Sequence, residues 1–103
     1  MKGDVNMDRL MKYNEVKGVR FNLDAEHLED ELILTDPYEY IRIERLKNIA
    51  NYDIAVYIND AKEEEYIVFE DSITFEEIEV RKVRIKLLNV MTGKSEIQVM
   101  LMR

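Results

Sequence analysis

The sequence predicts an all-β fold: a single small antiparallel β-sandwich, jelly-roll-like or Ig-like, of about seven or eight short strands with a flexible N-terminal arm. Three observations carry this. Apolar residues alternate with polar ones over most of the chain, the period of a half-buried strand. No stretch between those segments has the roughly dozen residues of helical pattern that a parallel crossover requires. The 103 residues are 47% hydrophobic and contain no cysteine, so a chain of one-domain length can build its core without disulfides or thiolate metal sites.

The arm is residues 1–14 and the sandwich domain residues 15–103. In the arm, Met7, Leu10 and Met11 fall at helical spacing behind Asp4, a candidate cap, but so short a helix is marginal alone. Val19, Phe21 and Leu23 then alternate with Arg20 and Asn22 as a first strand. Residues 24–31 are acid-rich and read as a loop or as one helical turn capped by Asp24. Leu32-Ile33-Leu34-Thr35 reads as a short strand stopped at Asp36-Pro37, because proline removes a ladder donor.

Alternation resumes over residues 38–46, and Lys47-Asn48-Ile49-Ala50-Asn51 is a polar connection. Tyr52, Ile54, Val56 and Ile58 form the clearest strand, closed by Asn59-Asp60. An acidic loop over 61–65 leads to a strand at Tyr66-Ile67-Val68-Phe69, then a turn at Glu70-Asp71-Ser72. Ile73 and Phe75 follow, then Ile78, Val80, Val83, Ile85 and Leu87. Three residues instead of two separate Val80 from Val83, which predicts a bulge or bend near Arg81-Lys82. Thr92-Gly93-Lys94-Ser95 is a turn, and Ile97, Val99 and Leu101 mark the last strand.

Charge narrows the partners. With 15 Lys and Arg against 22 Asp and Glu, the net charge is −7, which opposes binding to nucleic-acid phosphates or an anionic membrane. The densest basic stretch, Arg81-Lys82-Val83-Arg84-Ile85-Lys86, alternates with apolar residues and reads as a solvated strand face. The longest apolar run, Ile54-Ala55-Val56-Tyr57-Ile58, is far below the ~20 residues of a membrane span. The N-terminus has no apolar stretch of the secretory kind, so the expected location is the cytoplasm, or a virion for a particle component. Neither nucleic acid nor membrane is an expected partner.

Chemistry-bearing residues are sparse. His27 lies beside Asp24, Glu26 and Glu29, but the two serines, Ser72 and Ser95, fall in predicted turns away from it, so no triad is expected. The acids alternate outward or sit in turns, unlike the buried acid of a glycosidase. Asn59, Asp60, Glu63, Glu64, Glu65, Glu70 and Asp71 place many oxygens in adjacent loops, and calcium is the alternative they raise. A carbohydrate site beside Tyr57 and Tyr66 is its companion. Neither has a diagnostic spacing, and the expectation is a non-catalytic protein with no cofactor and no metal site.

The apolar pattern says more. Tyr66-Ile67-Val68-Phe69 is apolar on both faces, Ala55 and Tyr57 oppose the Ile54–Val56 face, and Met100 and Met102 oppose Val99 and Leu101. Outward positions of a one-sided strand are ordinarily polar, and apolar patches there mark contact surfaces. The expected interface is therefore Tyr57, Tyr66, Val68, Met100 and Met102, serving a homo-oligomer or larger protein assembly. Ile67 and Phe69 fall on the core face. Glu63, Glu64, Glu65 and Glu70 would form a polar rim, met by Arg81, Lys82 and Arg84 of a neighbouring subunit.

The strand rhythm carries a resemblance. It runs from Ile41-Arg42-Ile43 through Leu46-Lys47-Asn48-Ile49-Ala50-Asn51-Tyr52-Asp53-Ile54-Ala55-Val56-Tyr57-Ile58-Asn59 to Ile73-Thr74-Phe75 and Val80-Arg81-Lys82-Val83-Arg84-Ile85-Lys86. This stretch, about half of the chain, resembles the small β-sandwich proteins that decorate heads or form accessory parts of tailed bacteriophages and prophages. It departs from them in having Ala50 and Ala61 where glycine is common. The resemblance implies a non-enzymatic, often oligomeric virion component with no catalytic residues.

Overall fold

The computed structural model describes residues 12–48, 53–89 and 93–103. The helical spacing of Met7, Leu10 and Met11 and most of the 47–51 connection lie outside them. Among the described residues six antiparallel strands make up the fold: β1 (Val16–Asp24), β2 (Glu29–Asn48), β3 (Asp53–Ile58), β4 (Ile67–Phe69), β5 (Ser72–Leu88) and β6 (Lys94–Met102). Hydrogen bonds join them into one sheet in the order β1-β6-β2-β5-β3-β4. The all-β, antiparallel class expected from the alternation is the one observed.

Strand count differs because two pairs of expected short strands are continuous. Asp36-Pro37 does not end a strand: β2 runs through it for 20 residues, and β5 runs unbroken for 17. The proline lies between the paired stretches 29–33 and 40–44, where no ladder bond to β5 needs its missing N–H. Here the register breaks twice. Ile33 pairs with Lys82 and Tyr38 with Val80, so β2 carries extra residues; Tyr40 then pairs with Glu76, so β5 does. Glu77 takes the left-handed conformation at φ 57° within this break.

The break divides the sheet into two halves. In one, β1, β6, residues 40–48 of β2 and residues 72–76 of β5 pair side by side. In the other, residues 29–33 of β2, residues 82–88 of β5, β3 and β4 do so. Long strands passing from one half to the other through bulges are how a sheet turns a corner and folds over itself. One core joins the halves. Phe21, Leu23, Ile41, Ile43, Ile97, Val99 and Leu101 of the first cluster with Ile54, Val56, Phe69, Val83, Ile85 and Leu87 of the second. Most of these are wholly buried, each stabilising the fold by ~1.5–3 kcal/mol relative to exposure.

The expected bend at Arg81-Lys82 is present, and Asn59 holds it. Val80 and Val83, three residues apart, are both buried. The Arg81 and Lys82 N–H groups both donate to Asn59 Oδ1 (2.7 and 3.3 Å), and Asn59 Nδ2 donates to the Glu79 carbonyl (2.8 Å). Asn59 itself has φ 57°, a conformation that asparagine tolerates better than most residues.

Tyr13, placed in the arm by the sequence, is buried against Tyr40 and Met102, with its ring centroid 5.9 Å from that of Tyr40. The Arg103 carbonyl accepts from the N–H groups of Asn14 and Glu15 at 2.7 and 2.8 Å. Among the described residues the packing thus reaches back to Tyr13, within the stretch read as the arm.

Candidate interaction surface

The five expected interface residues separate into two groups. Tyr57 and Met102 are 2% and 3% exposed, so neither is a free contact. Tyr66 and Val68, at 41% and 46%, are open to solvent, and Met100 is half-buried beside Tyr13, Tyr40 and Met102. Tyr57 does point to the outer face of β3, as its alternation demands, but the chain covers it. The Arg84 guanidinium lies 3.9 Å from its ring centroid, Tyr66 packs at 5.8 Å, and its hydroxyl donates to the Glu63 carbonyl at 3.2 Å. Alternation reports which face a side chain takes, not what later folds over that face.

The basic residues expected to meet a neighbouring subunit are likewise engaged within the chain. Arg84 Nη1 contacts Glu29 Oε2 at 3.0 Å and Arg84 Nη2 contacts Glu63 Oε1 at 2.8 Å, with Lys86 Nζ 3.9 Å from the other Glu63 oxygen. Arg81 pairs with Glu79, and Lys82 with Asp60 at 3.5 Å. The hydrogen bond from Arg84 holds the Glu63 carboxyl below the usual range and, reciprocally, raises Arg84. Burial, with Glu63 adding to it, pushes the Tyr57 phenol up. The network fastens the 59–66 connection onto β3 and β5 and so fixes where β4 begins.

Beyond this connection, β4 is the last strand on its side of the sheet, paired only with β3: Ile54 with Phe69, Ala55 with Val68 and Val56 with Ile67. Phe69 is buried in the core, as expected, but Ile67 is not. Although it faces the core side opposite Val56, it is 41% exposed, because among the described residues no strand lies beyond it. Tyr66, Ile67 and Val68 thus leave apolar surface open on both faces of one edge. Glu64, Glu65, Glu70 and Asp71 are exposed on either side.

The residues considered for chemistry are not brought together. Asp24 Oδ1 accepts from the N–H groups of Glu26 and His27, making 24–27 a side-chain-capped turn, and His27 Nε2 stands 3.6 Å from Asp30. Ser72 and Ser95 lie in β5 and β6, not in turns, and Ser95 is buried. Of the acids considered for calcium, Asp60 and Glu63 are paired with Lys82 and Arg84, and Glu65 accepts from the Lys62 N–H. Among the described residues no group of three or more His, Asp or Glu converges on a point. No helix among them is long and apolar enough to cross a membrane.

The fold defines an all-β chain whose single antiparallel sheet is bent through two long strands. Its architecture is similar to that of a prophage-derived protein. The crystal structure of SPBc2 prophage-derived protein YomS superimposes with a TM-score of 0.54, covering 87% of this chain and 96% of that one at 11% identity. At that identity the likeness is one of fold. No protein-family model and no curated protein matches the sequence.

Proposed function

We propose that this chain is a non-catalytic assembly protein, a component of a phage or prophage particle, that associates with itself or docks on a larger protein structure. The observation that carries the reading is the open apolar edge at Tyr66, Ile67 and Val68. Apolar surface left at a sheet edge is a template for another chain. The fold shared with a prophage-derived protein supports the setting, and the acidic charge supports protein partners over nucleic acid or membrane.

Light scattering on the purified protein tests it. The apparent mass should exceed 12.3 kDa at tens of micromolar, or rise on mixing with particles, and Tyr66→Asp or Val68→Asp should lower it while the circular dichroism of the fold is kept. A strict monomer with no affinity for particles would retire the proposal.

A further inference from the structure

Among the described residues no further strand pairs with either end of the sheet, and the two ends differ in charge. β4 lies at one end of the strand order and β1 at the other. The β4 edge is apolar over Tyr66, Ile67 and Val68 and acidic around them. Glu64, Glu70 and Asp71 are exposed, and no described residue pairs with their carboxylates. A second β4 laid antiparallel against it would bring Glu64 and Glu65 of one copy beside Glu70 and Asp71 of the other, like charge on like charge.

The β1 edge has the complementary character. Val16 is 57% exposed, Lys17 and Arg20 are exposed, Glu15 is held by Arg103 at 2.9 Å, and Asp24, the acid within β1, accepts from the Glu26 and His27 N–H groups. Arg20 makes only a loose exposed contact with Glu96 at 3.7 Å. The surface above Gly18 is open: a Cβ placed there would approach only Gln98 Nε2, at 4.0 Å. Because Tyr66, Ile67 and Val68 are open on both faces, the occupant that covers them is a strand added alongside, not a surface laid on one face.

We infer that the partner of the β4 edge is the β1 edge of a second copy, so that the chain associates head to tail. This rests on the assembly reading above and goes further by naming the occupant and the symmetry. The ladder of one copy then continues into the next. Such a heterologous contact closes into a ring or grows as a filament, whereas a β4–β4 contact would stop at a dimer. With only three residues in β4 the single contact is weak, so it shows at high concentration and low salt.

Sedimentation velocity on the full chain, from micromolar to submillimolar, tests this with two variants that should fold. Val68→Lys spoils the β4 edge, and Lys17→Glu with Arg20→Glu spoils the β1 edge. The wild type should grow past a dimer, and each variant alone should stay at the monomer mass. An equimolar mixture of the two should form one-to-one dimers that grow no further, since one live edge of each kind remains. A wild type that stops at a dimer, lost with Val68→Lys but unaffected by Lys17→Glu and Arg20→Glu, would overturn the head-to-tail contact and leave the assembly reading standing. A wild type that is monomeric throughout would overturn the inference, while binding to particles would still decide the assembly reading separately.

Discussion

Replacing Asn59 with alanine removes the side chain that holds the corner of β5 and the exit from β3. Three bonds are lost: those from the Arg81 and Lys82 N–H groups and that to the Glu79 carbonyl. The freed groups are near solvent and rehydrate, so each loss costs ~0.5–1 kcal/mol. Alanine must also hold φ near 57°, which costs about 1 kcal/mol more. The sum is roughly 2.5–4 kcal/mol. With a urea slope of roughly 1–2 kcal/mol per molar for a domain of this size, the midpoint should fall by at least ~1 M. Asn59→Gly loses the same bonds without the conformational penalty and should recover about 1 kcal/mol of the difference. An Asn59→Ala midpoint equal to wild type, or a glycine variant no more stable than the alanine one, would refute the role given to this residue.

Other expectations follow from the same contacts. Arg84 depresses the Glu63 pKa, so below the ordinary carboxylate value of 4.5 the unfolded chain takes up the proton first. The contribution of the pair is complete above that pH and is lost as the pH falls through the lower folded value; melting curves should show Glu63→Gln flattening this acid limb. Ser95 is buried and its Oγ has no hydrogen-bond partner among the described residues, so Ser95→Ala should leave the stability read from urea unfolding unchanged or raise it by up to ~1 kcal/mol. Phe69→Ala should cost ~3 kcal/mol, since the ring fills the core. Ile67→Asp on the neighbouring residue should be tolerated in the monomer, and a denaturation midpoint as low as that of Phe69→Ala would place Ile67 in the core after all.

Much of the fold is legible in the sequence because its strands bury one face each. Phe21 and Leu23, Ile97, Val99 and Leu101, and Val83, Ile85 and Leu87 all point inward as their spacing requires. The change of phase between Val80 and Val83 is likewise local, and it marks the corner. The continuity of β2 is not legible, because whether a proline stops a strand depends on whether its N–H faces a neighbour, which only the register decides. The candidate surface was half legible. Two-faced apolar pattern singled out Tyr66 and Val68, while the covering of Tyr57 by Arg84, Tyr66 and the 59–66 connection depends on contacts far apart in the chain. The exposure of Ile67 follows from β4 being an edge, a fact of strand order that alternation does not carry.

On the proposed reading, the outer edge of β4 is a contact between chains. Hydrogen–deuterium exchange of the peptide covering residues 65–70 measures it directly, because edge amides facing away from β3 exchange freely unless another strand covers them. Protection of this peptide should rise with protein concentration at low salt, and Val68→Asp should abolish the rise while exchange in the β5–β2 core stays unchanged. Exchange at 65–70 that is the same at every concentration, and the same in the presence of particles, would contradict it.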